Sequence, residues 1–298
     1  MKRTSDIQIR DPYVLPDPGG WYYLFGTTDP DCWKGPGVGF DCYRSRDLVA
    51  WEGPFPAFRP PAGFWATTNY WAPEAHRHGG RYYLLASFKA PRHYRGTQIL
   101  ASDKPEGPYV PLGEGPVTPP DWECLDGTLH VDEDGKPWMV FCHEWVQIHN
   151  GAVCAIRLSQ DLSRADSRPI LLFSASEAAW VEHRPWPEND PRIRFPRHVT
   201  DGPFLHRMAD GGLVMLWSSV GWEGYAMGIA RSQSGTVLGP WVQEEKPIWS
   251  RDGGHGMVFR RFDGQLCMTL HTPNQTPNER AVLVPVEERD GSLRVVSL

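Results

Sequence analysis

Five short segments set an ionisable side chain beside a Gly or Pro, just ahead of an apolar run. They are RDPYVL (10–15), WAPEAH (71–76), LDGTLHV (125–131), TDGPFLHR (200–207) and GHGMVFRR (254–261). The groups are Asp11, Glu74, Asp126, Asp201 and His255. Carboxylates gathered in a small, partly apolar pocket perturb one another, and like charges raise at least one pKa. One then stays protonated while another stays ionised. Cleaving a glycosidic bond uses that division: an acid protonates the leaving oxygen, and a carboxylate activates water or attacks carbon. At roughly 6.5–9.5 Å separation a water fits between base and sugar, and configuration inverts. Plainer roles exist for three of them. Asp11 before a Pro caps a turn, Asp126-Gly127 makes a hairpin turn, and Glu74 pairs with a buried Arg. Asp132 and Asp134 read as solvated hairpin residues.

Something must bring groups so far apart in sequence together. A second recurring piece follows each of the five: GGWYYLFGTT (19–28), GGRYYLLASF (79–88), DGKPWMVFCH (134–143), DGGLVMLWSS (210–219) and DGQLCMTLHT (263–272). Their starts are 60, 55, 76 and 53 residues apart. Each is a Gly-containing turn feeding an apolar strand. A third, polar piece recurs as SRDLVAWEGP (45–54), SDKPEGPY (102–109), SQDLSRADSRP (159–169) and SQSGTVLGPW (232–241). Strand, turn, strand and polar turn at such intervals predict an all-β protein, a five-bladed β-propeller with four-stranded blades around a central axis. The whole chain, 1–298, reads as one domain; the alternative is a β-sandwich. First strands of blades line the axis. The starts of the five first strands are therefore expected to ring one pocket. Second strands return to that end, placing 27–29, 87–89, 143–145, 218–219 and His271 around it.

Composition agrees. The 298 residues include 14 Trp, 30 Gly and 29 Pro, with Gly and Pro spread along the chain. Net charge is −6, and no basic run marks a nucleic-acid surface. Flat aromatic rings stack on sugar faces, although most large aromatics fill cores. By position, Trp71, Trp145, Trp222 and Trp65 are expected at the pocket mouth, with His143 and Ser218 beside them. The six cysteines form no CxxC pair, so a zinc ribbon is not expected. The N-terminus lacks the apolar core of a signal peptide, and no run reaches membrane-spanning length. This reads as a soluble, cytoplasmic protein with free thiols, touching neither membrane nor nucleic acid. Removal of a signal peptide would make it secreted and allow Cys32 to pair with Cys42. The Pro-rich stretch 174–198 precedes Asp201 and reads as a pocket wall, with Trp180, His183 and Trp186 as a subsite. A wall there favours attack at a chain end.

The five motifs together, RDPY, WAPE, LDGTLHVDEDGKPWMVF, TDGPFL and GGHGM, resemble glycoside hydrolase family 43, one per blade and in order. The likeness spans almost the whole chain. It implies a five-bladed propeller and an inverting hydrolase of α-L-arabinofuranosides or β-D-xylosides. Its pattern makes Asp11 the general base and Asp126 the residue that tunes and orients the acid. The Glu of WAPE, here Glu74, is not among the family's three catalytic acids. The acid is the Glu of an EGP motif, and here the chain departs: it reads Thr200-Asp201-Gly202-Pro203. Asp is one methylene shorter, so its oxygens lie roughly an ångström further back. Uncompensated, that costs about a hundredfold. Three readings stay open. Asp201 is still the acid; Glu144, with the longer arm in CHEW, replaces it; or the site binds sugar without cleaving it. The balance leans to an active enzyme with Glu144 as acid. The resemblance also implies an Arg from the last blade over the sugar, here Arg280. Some members of that family hold a calcium on the axis with a His in its shell, so the resemblance allows a calcium or other cation at His255, although no cofactor is required. The expected partner is an oligosaccharide carrying terminal arabinofuranosyl, xylosyl or related furanosyl residues. Endo-acting arabinanase, a sugar-binding propeller without turnover, and a phosphorylase using Lys89, Arg92, His93 and Arg95 are the competing readings.

Overall fold

The computed structural model describes residues 1–182 and 198–296. Its strands form five antiparallel sheets, each built from consecutive strands. Blade one comprises Arg10–Asp17, Trp21–Thr27, Phe40–Ser45 and Ala50–Phe58. Blade two is Thr68–His78, Arg81–Lys89, Gly96–Ser102 and Val110–Pro111. Blade three is Cys124–Val131, Pro137–His143, Ala152–Arg157 and Ile170–Ser174. Blade four is Asp201–Arg207, Leu213–Gly221, Gly224–Ser232 and Trp241–Gln243. Blade five is Gly254–Arg260, Leu266–Thr272, Arg280–Arg289 and Ser292–Val295. This is the expected five-bladed propeller, with one addition. A two-residue strand, Lys2–Arg3, pairs with the outer strand of blade one. Blades one and five meet through a bridge between Gln8 and Arg280 and an ion pair from Arg10 to the buried Glu279 (2.7 Å).

The apolar faces of the sheets pack blade against blade. Phe40, Phe58, Tyr70 and Phe88 interlock between blades one and two, with ring centroids 4.9–6.1 Å apart. Phe173, Trp180 and Trp217 do the same between blades three and four. Trp180 is therefore core and not part of a subsite. It lies so close to Gly228 that a Cβ there would sit 2.3 Å from its ring. His183 and Trp186 lie outside the described residues. All six cysteines are buried and free, so Cys32 and Cys42 are not paired.

Each innermost strand carries the same kink. Pairing with the second strand slips between Arg10 and Tyr13, Trp71 and Glu74, Leu125 and Thr128, Asp201 and Phe204, and Gly254 and Met257. At each slip one residue takes a left-handed backbone: Asp11 (φ 52°), Ala72 (47°), Asp126 (57°), Gly202 (49°) and His255 (45°). The next residue is Pro or Gly in every case. Non-glycine residues seldom hold positive φ, and bulges of this kind re-aim side chains near functional sites. Here they turn Asp11, Asp126 and His255 toward one end of the axis.

Candidate active site

At that end lies a cavity of roughly 630 Å³. Every blade contributes to its lining: Arg10, Asp11 and Trp33 from blade one, Trp71 from blade two, and Leu125, Asp126, Glu144 and Trp145 from blade three. Val199, Asp201, Val220 and Tyr225 come from blade four, and His255, Asn274 and Thr276 from blade five.

Asp11 is the most tightly held carboxylate. Its Oδ2 accepts the Thr27 hydroxyl at 2.7 Å, and its Oδ1 lies 3.2 Å from Nδ1 of His255. Its backbone N–H donates to Nδ1 of His271 at 3.1 Å. That bond leaves the His271 proton on Nε2, which faces Oδ1 of Asn274 at 3.2 Å. Burial, with Arg10 nearby, holds the His271 pKa down at about 4, so the ring is neutral at pH 7. Burial by itself would raise Asp11. The neighbouring His255 and Arg10 outweigh it and keep Asp11 below the usual carboxylate range.

Asp126 and Asp201 are shifted the other way. Burial and the charge of Asp11 push Asp126 well above the ordinary value, against the pull of a Gly202 N–H that donates to its Oδ2 at 3.0 Å. Oδ2 also lies 3.6 Å from Nδ1 of His255. Burial, then the neighbouring Asp126, raise Asp201 to about 7. The Tyr225 hydroxyl donates to Asp201 Oδ2 at 2.9 Å. The cavity therefore holds one carboxylate biased to stay ionised, Asp11, and two biased to hold a proton, Asp126 and Asp201.

Glu144 stands in a different setting. It precedes the short helix Trp145–Ile148 and forms a buried ion pair with Arg95. Burial raises its pKa, and the Arg95 guanidinium pulls it back. Arg95 is itself fixed: Nη2 donates to Oδ1 of Asn69 at 3.2 Å, and its plane lies 4.1 Å above the Trp71 ring. Trp71 Nε1 donates to the Cys32 carbonyl at 2.6 Å. The net shift is upward, but the Arg95 guanidinium donates to Oε2, so that oxygen is engaged and not free to hand a proton to a sugar oxygen.

A family model described as glycosyl hydrolases family 43 matches residues 5–293. The chain belongs to that family. An extracellular exo-α-(1→5)-L-arabinofuranosidase of Cellvibrio japonicus is 28% identical over 281 residues, 86% of this chain and 72% of that protein. An extracellular endo-α-(1→5)-L-arabinanase of Bacillus subtilis is 25% identical over 153 residues, 48% of this chain and 45% of that protein. The solved endo-arabinase of Bacteroides thetaiotaomicron superposes with a TM-score of 0.89 at 40% identity, covering 97% of this chain and 98% of that one. The chain is thus a family 43 glycosidase of the group acting on arabinose- and xylose-type sugars.

Of the residues read from sequence, the family 43 cavity gathers Asp11, Asp126, Glu144, Asp201, Trp71, Trp145 and His255. Glu74 lies deeper. It sits two residues past the left-handed position, beside His76 (3.1 Å), and does not line the cavity. Ser218 is fully buried, and its hydroxyl accepts the His255 N–H at 2.8 Å. His143 stacks on Trp122 with ring centroids 4.2 Å apart. Arg280 turns back to the carbonyls of Ser5, Pro277 and Glu279. Trp222 lies in the exposed turn after Gly221, outside the cavity, and Trp65 donates to Gln98 at 2.7 Å. Sequence reasoning missed Trp33, Tyr225, Asn274 and Thr276 as lining residues, and Arg95 as the partner of Glu144. Asn274 and Thr276 sit in the TPNQTPNE loop from which Arg280 was singled out. Tyr225 opens a third strand, where no local pattern marks it.

A central calcium requires six to eight oxygen ligands. His255 supplies one imidazole, and its Nδ1 faces two carboxylates. Among the described residues no group of three or more His, Cys, Asp or Glu side chains is arranged to hold a metal ion. The residues present do not make a calcium cage, and no step of the reaction is assigned to one.

Proposed function

We propose that this protein hydrolyses α-L-arabinofuranosyl linkages of 1,5-linked arabinan chains, with inversion, from the chain end. The opposed carboxylates carry the reading: Asp11 is held low by His255 and Arg10, and Asp201 is raised to about 7. Asp201 is the general acid. It protonates the glycosidic oxygen as the C–O bond breaks. Asp11 is the base. It takes a proton from a water whose oxygen attacks the anomeric carbon, so one water is added across the bond. Asp126 orients the sugar and keeps Asp201 protonated through its proximity. Glu144, bound to Arg95, shapes the wall against Trp71 and is not the acid. Walls drawn from every blade favour a pocket that takes a chain end. The relatives support arabinan as the substrate class. Those named as extracellular favour action outside the cell over a cytoplasmic place.

The test is incubation with linear 1,5-α-L-arabinan and its oligosaccharides, with products resolved by size and by proton NMR. Arabinose as the first product, appearing as the β-anomer, is expected. A ladder of oligosaccharides from the start would instead establish endo action, the reading favoured by the 40% identical endo-arabinase. Release of xylose in preference to arabinose would overturn the substrate assignment.

A further inference from the structure

The five left-handed residues present five backbone N–H groups at one level of the ring. Four are held by a side chain in the last few residues of the second strand of the preceding blade. Thr27 accepts from Ala72, Ser87 from Asp126 and Ser218 from His255, each at 2.8 Å. His271 accepts from Asp11 at 3.1 Å and closes the circle. These acceptors share one register. Each pairs with the residue just before a left-handed position: Thr27 with Arg10, Ser87 with Trp71, Ser218 with Asp201 and His271 with Gly254. In blade three that register holds Cys142, paired with Leu125.

Cys142 breaks the circle. A thiol sulfur is a weak acceptor. The N–H it would take, that of Gly202, donates to Oδ2 of Asp126 at 3.0 Å instead. We propose that Cys142 is a positioning residue: a poor acceptor in blade three leaves the Gly202 N–H to the Asp126 carboxylate. Asp126 is thereby tied to the peptide that follows Asp201, and the two groups hold a fixed relation. Only glycine fits at this place, because a Cβ on residue 202 would lie 2.4 Å from Cδ2 of the His255 ring. The inference rests on the roles of Asp126 and Asp201 given above.

Cys142→Ser and Cys142→Ala separate this from packing. Serine is the closer match in size and polarity to the thiol, and Ser87 and Ser218 already make the ring bond from this register. The introduced serine captures the Gly202 N–H and frees Asp126; alanine captures nothing. The expected result is a loss of about tenfold in kcat for Cys142→Ser at little changed KM, and a smaller loss for Cys142→Ala. The alkaline limb of the pH profile moves in the serine variant and stays in the alanine variant. The groups facing Asp126 in that titration are Asp11, Glu144, Glu74 and His255; those facing Asp201 are Asp126, His255, Tyr225 and Asp11. If Cys142 only fills space, the order reverses: the alanine variant loses more kcat and more Tm than the serine variant. That order would overturn the proposal. Crystal structures of the two variants read the bond without any turnover. In Cys142→Ser, a Gly202 N–H donating to the introduced hydroxyl supports the proposal, and a Gly202 N–H still on Asp126 overturns it. A wild-type protein inert on arabinans and xylosides alike would sink the catalytic roles, and those structures would still decide the hydrogen bond.

Discussion

Replacing Asp201 with Asn keeps the shape of the side chain and an acceptor for the Tyr225 hydroxyl, but removes the transferable proton. Asp201 sits at about 7, against an ordinary 3.8. Three units at ~1.4 kcal/mol each make ~4 kcal/mol between its charged and neutral forms. The cavity is open to water, and screening trims this to ~2–4 kcal/mol. Two consequences follow. First, wild-type activity should fall tenfold per pH unit above about 7, as the acid loses its proton. Asp201→Asn should lose about 10²–10⁴ in kcat/KM on arabino-oligosaccharides, the usual worth of a general acid. On p-nitrophenyl arabinofuranoside, whose phenolate leaves unaided, the loss should stay near ~10-fold and the alkaline limb should vanish. Second, a carboxyl group raised on folding stabilises fully below its unfolded pKa, and that contribution is lost as pH climbs through the folded value. Between pH 4 and 8 the wild type should lose ~2–4 kcal/mol relative to Asp201→Asn, measured by urea unfolding. The assay pairs both substrates with both variants, Asp201→Asn and Glu144→Gln. If Glu144→Gln shows the leaving-group dependence while Asp201→Asn keeps its alkaline limb, the acid is Glu144 and the assignment to Asp201 is refuted.

Other perturbations test other contacts. Asp11→Ala removes the base and should cost about 10²–10⁴ on natural and nitrophenyl substrates alike; a loss confined to one class would exclude a base role. Tyr225→Phe removes a donor that stabilises ionised Asp201, so the alkaline limb should move up by about one unit. A downward move would contradict the geometry. Arg95→Met strands a buried Glu144 and should cost ~3–5 kcal/mol in chemical unfolding, with much of it recovered in Arg95→Met/Glu144→Gln. Equal losses in the single and double variants would show that the pair is not coupled.

The fold was legible because a propeller repeats. Gly-turn-strand segments such as GGWYYLFGTT and GGRYYLLASF recur in one order, and each copy lands on its second strand. The ring of first-strand starts was legible to within a register. Asp11, Asp126 and His255 are equivalent, but the equivalent residues in blades two and four are Ala72 and Gly202. A period-two strand sends neighbours to opposite faces, and a bulge shifts that count by one. Glu74, two residues past Ala72, therefore sinks below the cavity, and Asp201, one residue before Gly202, remains in it. The choice between Glu144 and Asp201 was not legible. Arm length favoured Glu144, but Arg95 lies 49 positions away and reaches it only because the sheets of blades two and three stand side by side. No spacing rule joins those residues. The same holds for Cys142, which reads as one more buried thiol in VFCHE. Its significance emerges only when four other blades present oxygen or nitrogen at its register, so that the single sulfur explains where the Gly202 N–H goes.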